Sequence, residues 1–89
     1  MPIVYALDQN YPNPFNPATI ITYSIPQRVN VSLKIYDMLG KEIATLVNEQ
    51  KEAGSYKVQY DAAKLSSGVY VYTIQAGDFL ESRKMLLVK

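Results

Sequence analysis

The 89-residue chain contains no cysteine and no histidine. Without cysteine there is no disulfide framework, no thiolate nucleophile and no Cys-ligated zinc site. Without histidine the usual general base and the commonest metal ligand are gone. Neither sign of charge is in clear excess. Nine Lys/Arg against eight Asp/Glu leave +1, far from the basic excess of a nucleic-acid binder, so no nucleic-acid partner is expected. Four glycines are too few for a collagen-like fibre. The longest apolar run free of tyrosine, Met85 to Val88, is much too short to span a bilayer. Met1 to Gln9 lacks the charged start and apolar stretch of a signal peptide. The chain therefore reads as cytosolic or as a fragment whose export signal lay elsewhere, with Met1 an added start. No phosphate-binding glycine loop, EF-hand or nucleophile elbow occurs. These absences argue against catalysis, and no cofactor or metal is expected.

What is present is an ordinary globular mixture, 48% apolar and 19% charged, too apolar for intrinsic disorder. A chain of this length is one small domain that buries roughly 60–65% of its unfolded surface, enough for one two-layer core.

The first eighteen residues differ from the rest. Asn10-Tyr11-Pro12-Asn13-Pro14-Phe15-Asn16-Pro17 carries three prolines, which fix φ and push the preceding residues to extended conformations. Asn10, Asn13 and Asn16 support turns by bonding to nearby backbone. Residues 1–18 are expected to form a stiff leading segment packed on the domain of residues 19–89, anchored by Tyr11, Phe15 or both.

From Thr19 the apolar period is two. Ile21, Tyr23 and Ile25 alternate with polar residues until Pro26, and Val31, Leu33 and Ile35 repeat the pattern. Gly40 marks a tight connection after Asp37. Lys41 to Lys51 is ambiguous: Ile43, Leu46 and Val47 stand at helical spacing, yet a strand bulged near Thr45 presents the same inward set. Tyr56, Val58 and Tyr60 restart the alternation, Tyr70, Tyr72 and Ile74 continue it, and Ala76-Gly77-Asp78 is a hairpin turn before a last strand. The fold class is therefore all-β, an immunoglobulin-like antiparallel β-sandwich of about seven strands. Leu65 to Tyr70 resembles a tyrosine corner, in which the tyrosine hydroxyl bonds back to backbone; a plain core tyrosine is the alternative.

The carboxylates Asp37, Glu42, Asp61 and Asp78 flank predicted turns, where capping is their ordinary work. Lys34 and Lys57 fall on solvent faces of strands and discourage unwanted edge pairing. Of the eight tyrosines, Tyr23, Tyr56, Tyr60, Tyr70 and Tyr72 point inward by alternation, and only Tyr36 clearly faces out. A sugar-stacking platform is thinly supported.

Met85-Leu86-Leu87-Val88 breaks the pattern by being apolar on both faces, as does the stretch around Val69 and Val71. Such strands normally lie in a structure's middle, yet this one ends the chain. At a sheet edge its outer face and unpaired backbone would invite strand exchange into a homodimer, β-augmentation by a receptor, or docking of a neighbouring domain. Alternatively the Tyr11–Phe15 segment covers it.

Leu7 to Pro17, Thr19-Ile20-Ile21 and Tyr23, followed by Ile35-Tyr36-Asp37, Gly40, Ser67-Gly68-Val69-Tyr70, Ala76-Gly77 and Lys84 to Lys89, resemble in order the type A C-terminal sorting domain of the type IX (Por) secretion system of gram-negative bacteria. The resemblance runs from about Tyr5 to Lys89; Tyr60-Asp61 departs from a frequent tryptophan-aspartate. It implies an immunoglobulin-like module behind an N-terminal cargo domain. The export machinery it implies comprises an outer-membrane translocon, a shuttle protein and a sortase-like cysteine protease, which deliver the cargo through the periplasm and outer membrane to the cell surface or medium. It also implies a strand at Glu42 to Glu49. The sorting residues carried over are Gly68, Val69, Tyr70, Lys84, Met85, Leu87 and Lys89, with Lys84 and Lys89 the better candidates for direct contact. An adhesive or carbohydrate-binding module using Tyr36, and a scaffold like the immunoglobulin-like domain of a flagellar hook-assembly protein, are the competing expectations.

Overall fold

A computed structural model describes residues 4–89; the Met1 start and the first positions of the leading segment lie outside the described residues. The alternating stretches become seven strands: β1 (Ala6–Leu7), β2 (Ala18–Ile25), β3 (Val29–Tyr36), β4 (Glu42–Lys51), β5 (Gly54–Asp61), β6 (Gly68–Ala76) and β7 (Phe79–Leu87). They make two antiparallel sheets, ordered β1-β2-β5 and β4-β3-β6-β7. This is the expected immunoglobulin-like sandwich, with the fourth strand placed beside β3 rather than in the sheet of β2.

Period-two patterning places one side chain in two between the sheets. Ile21, Tyr23 and Ile25 of β2 meet Val31, Leu33 and Ile35 of β3 and Tyr72, Ile74 and Ala76 of β6, all buried in one core. Fully burying an aliphatic or Phe side chain stabilises the fold by about 1.5–3 kcal/mol each. Gly77 turns the β6–β7 hairpin at φ +61, where a Cβ would come within 3.0 Å of Val29 Cγ2.

The ambiguous stretch is strand β4, and its register explains the helical look. Val47 pairs with Leu33 but Thr45 with Lys34, and Ala44 pairs with Ile35 but Glu42 with Tyr36. Leu46 and Ile43 are therefore extra residues, two bulges on either side of Thr45. Each bulge resets which residues point inward, so half-buried positions recur every third residue.

The asparagine-proline segment forms a strap over one flank. Tyr11 bridges Ile20 of β2, and Phe15 bridges Leu87 of β7 in parallel, so residues 8–17 lace the edge of one sheet to the edge of the other. Phe15 is buried, whereas Tyr11 is 79% exposed. Of the two candidate anchors only Phe15 serves; Tyr11 is held through its backbone, which bonds both ways to Ile20 at 2.9 Å.

Two further expectations are corrected. Lys34 lies on β3, an inner strand, so it guards no edge; its ammonium pairs with Glu42 at 3.2 Å. Glu42 caps no turn but accepts from Thr45 Oγ1 at 2.9 Å, and these partners hold its carboxyl below the usual carboxylate range. Asp37 and Asp61 do cap, accepting from the Leu39 and Ala63 amides at 2.9 Å.

The described chain enters and leaves at opposite poles of a body 37 Å long. Tyr5 stacks on Phe79 with ring centroids 5.1 Å apart, beside the β6–β7 turn. Lys89 bonds to Ser67 and Ala63 of the β5–β6 loop, at the other end of β6.

Candidate functional site

The residues implied by the resemblance converge at that second pole. Antiparallel pairing of β6 with β7 sets Gly68 opposite Leu87, Val69 opposite Leu86, Tyr70 opposite Met85 and Val71 opposite Lys84. Alternation then divides them between two faces. Tyr70, Met85 and Leu87 point into the core, Met85 and Leu87 essentially inaccessible. Val69 and Lys84 point outward, joined by Leu86, which is not among the residues the resemblance carries over. Val69 and Leu86 are 37% and 38% exposed. The signal for Leu86 was present in the two-faced apolar run, but side could be assigned only once register was known.

The inward members set the shape of this end. Tyr70 donates its hydroxyl proton to the Ser66 carbonyl at 2.6 Å, which makes it the tyrosine corner between β5 and β6. Gly68 sits at φ +153 with nothing within 4 Å of a built Cβ, so backbone conformation rather than space favours glycine. Lys89 is less free than its charge suggested. Its amide donates to Ser67 Oγ at 3.0 Å and its ammonium to the Ala63 carbonyl. Lys84 is exposed and has no ion-pair partner among the described residues.

The outer edge of β7 differs from the expectation of unpaired backbone. Phe15 N–H donates to the Leu86 carbonyl at 2.9 Å and Val88 N–H to the Phe15 carbonyl at 3.0 Å. Asn13 Oδ1 accepts from Leu86 N–H at 3.0 Å, and Gln9 Nε2 donates to the Lys84 carbonyl at 2.7 Å. The strap thus occupies the edge at Lys84 to Val88 while leaving the outer face uncovered. Exchange of this strand between copies gains no support from an edge already paired on both sides. A groove of about 180 Å³ remains on the outer side, lined by Asn13, Val69, Lys84, Met85 and Leu86.

The strap is locked to the core through one tyrosine. Tyr72, fully buried, accepts from Asn10 N–H at 2.8 Å and donates to the Asp8 carbonyl at 2.7 Å. Burial pushes its pKa up to about 12 even though the Asn10 bond works the other way. Asn10, also buried, donates to Thr19 Oγ1 at 3.0 Å and to the Pro12 carbonyl at 3.2 Å. The Asn10 and Asn13 side chains are therefore spent on holding the strap, whereas Asn16 is exposed and makes no side-chain hydrogen bond among the described residues. Tyr36, the residue of the carbohydrate reading, is half-buried on the outer face.

The structure is a two-sheet sandwich with an exposed apolar, lysine-bearing patch at one pole. Over residues 9–89 the sequence matches the family described as secretion system C-terminal sorting domain, and the chain belongs to that family. It is a sorting signal domain of type IX secretion; the family is not an enzymatic one. Membership implies attachment to an N-terminal cargo, interaction with the secretion machinery, and passage across the outer membrane toward the cell surface or extracellular space. No curated protein matches the chain.

Proposed function

We propose that the export machinery reads the outward face of the β6–β7 end, where Val69, Lys84 and Leu86 surround the groove. Gly68, Tyr70, Met85 and Leu87 hold that face in shape from behind, and Lys89 ties the end of the chain to the β5–β6 loop. The observation that carries this reading is the division of the β6–β7 end by register, with Val69, Lys84 and Leu86 on the outer face and Tyr70, Met85 and Leu87 in the core. The partners are an outer-membrane translocon and its shuttle protein, which meet a surface of mixed apolar and cationic character. Cargo joins at the opposite pole, ahead of β1, so a bulky cargo leaves the recognised end clear. A sortase would act on that side too, delivering the cargo to the cell surface.

The test is a reporter fused ahead of the domain in a bacterium carrying the system, assayed for surface display. The triple variant Val69→Ser, Lys84→Glu, Leu86→Ser changes outward side chains only and should leave the reporter in the periplasm with the domain folded. Surface display at the unaltered level would refute the reading.

A further inference from the structure

The flank away from the strap ends in two free strand edges of different character. β4 carries two bulges together with Glu42, Glu49 and Lys51, features that frustrate edge-to-edge pairing. β5 is regular, in continuous register with β2 from Gly54 to Asp61. Ala62 N–H bonds to the Pro17 carbonyl, and the odd residues of β2 face β5. The even residues of β5 are thereby the ones bonded to β2. The N–H and C=O groups of Ser55, Lys57, Gln59 and Asp61 point out of the sheet, and among the described residues no backbone group pairs with them.

We infer that this edge pairs with β5 of a second copy of the chain, antiparallel about Gln59. In that register Lys57 lies directly opposite the second copy's Asp61, and Asp61 opposite the second copy's Lys57. Val58 lies beside the second copy's Tyr60 on the inner face, where Tyr56, Val58 and Tyr60 are only partly buried in one copy. Centring the pairing on Lys57 or on Asp61 would oppose like charges, and centring it on Val58 would set Lys57 against Gln59. Charge complementarity thus selects one register, in which Lys57, expected from the sequence to deter edge pairing, instead meets an opposite charge, and the two-fold closes on itself. Asp61 keeps one carboxylate oxygen for this contact, since Oδ1 accepts from Ala63 N–H. β7 lies on the opposite flank of the other sheet, so the pairing leaves Val69, Lys84 and Leu86 uncovered.

Sedimentation of the 89-residue chain between about 10 μM and about 1 mM, the range of weak association, should show a concentration-dependent dimer. Lys57→Asp alone should weaken it by about tenfold or more, and adding Asp61→Lys should restore it. Gln59→Pro removes a donor that no backbone bond among the described residues uses. It should abolish the dimer while the protein still melts cooperatively. A monomer throughout the range would overturn the inference. So would a dimer indifferent to both Lys57→Asp and Gln59→Pro, which would mark exchange of β7 instead.

Discussion

Two tyrosines, one toward each flank of the sandwich, are completely buried and treated in opposite ways. On the strap side, the Tyr72 hydroxyl is bonded twice, to Asn10 and Asp8. On the open side, Tyr23 stacks on Tyr56 with ring centroids 5.3 Å apart, and its hydroxyl has no partner among the described residues. The strapped flank also buries Phe15 to 1% exposure, while Ile43, Leu46, Val47, Tyr56, Val58 and Tyr60 on the other flank stay half-buried. The asparagine-proline motif therefore acts as a seal. It supplies the backbone and side-chain groups that a further strand would supply, and it does so beside the Lys84–Val88 end of β7.

The sharpest way to break this comparison is to remove the seal's anchor. Phe15→Ala should cost about 3–5 kcal/mol, the usual penalty for truncating a buried Phe, read as a lower urea midpoint. Tyr72→Phe should cost about 2 kcal/mol, because the Asn10 N–H and Asp8 carbonyl lose their partner inside the protein. On the open flank Val58→Ala should cost only about 1 kcal/mol, since the side chain is partly exposed to begin with. Tyr23→Phe should go the other way by up to about 1 kcal/mol in favour of the fold, because it removes a buried hydroxyl that no described residue satisfies. Equal losses from the Tyr23 and Tyr72 variants would erase the distinction between the flanks.

Alkali probes both tyrosines together. Burial pushes Tyr23 and Tyr72 up to about 12 from the ordinary 10.0. Between those values the unfolded chain has released the two protons and the folded chain still holds them. Their contribution is thus full below pH 10 and is lost as pH rises toward 12. Urea midpoints measured across that interval should fall, and less steeply in Tyr72→Phe.

The sandwich was legible because alternation survives wherever a strand is regular: Ile21-Tyr23-Ile25, Val31-Leu33-Ile35 and Tyr70-Tyr72-Ile74 each declared a buried side. It failed at β4, where bulges at Ile43 and Leu46 turn a period of two into a period of three that imitates a helix. The strap was recognisable from its prolines, but which aromatic anchors it was not. Tyr11 and Phe15 differ in burial only because Phe15 reaches Leu87, a contact across more than seventy residues. The proposed sorting end was recognisable as anomalous through Met85 to Val88. Its division into a structural side and a presented side needed the pairing of Val69 with Leu86, and the closure of its edge by Asn13 and Phe15 carries no local signal.

The measurement that bears most directly on the sorting face is site-specific photo-crosslinking during export. A photoreactive side chain is placed at Leu86 or at Leu80, two exposed positions at opposite ends of β7 on the same face. Position 86 should yield an adduct with an outer-membrane component of the secretion machinery and position 80 should not. Adducts from position 80 with none from position 86 would contradict the account.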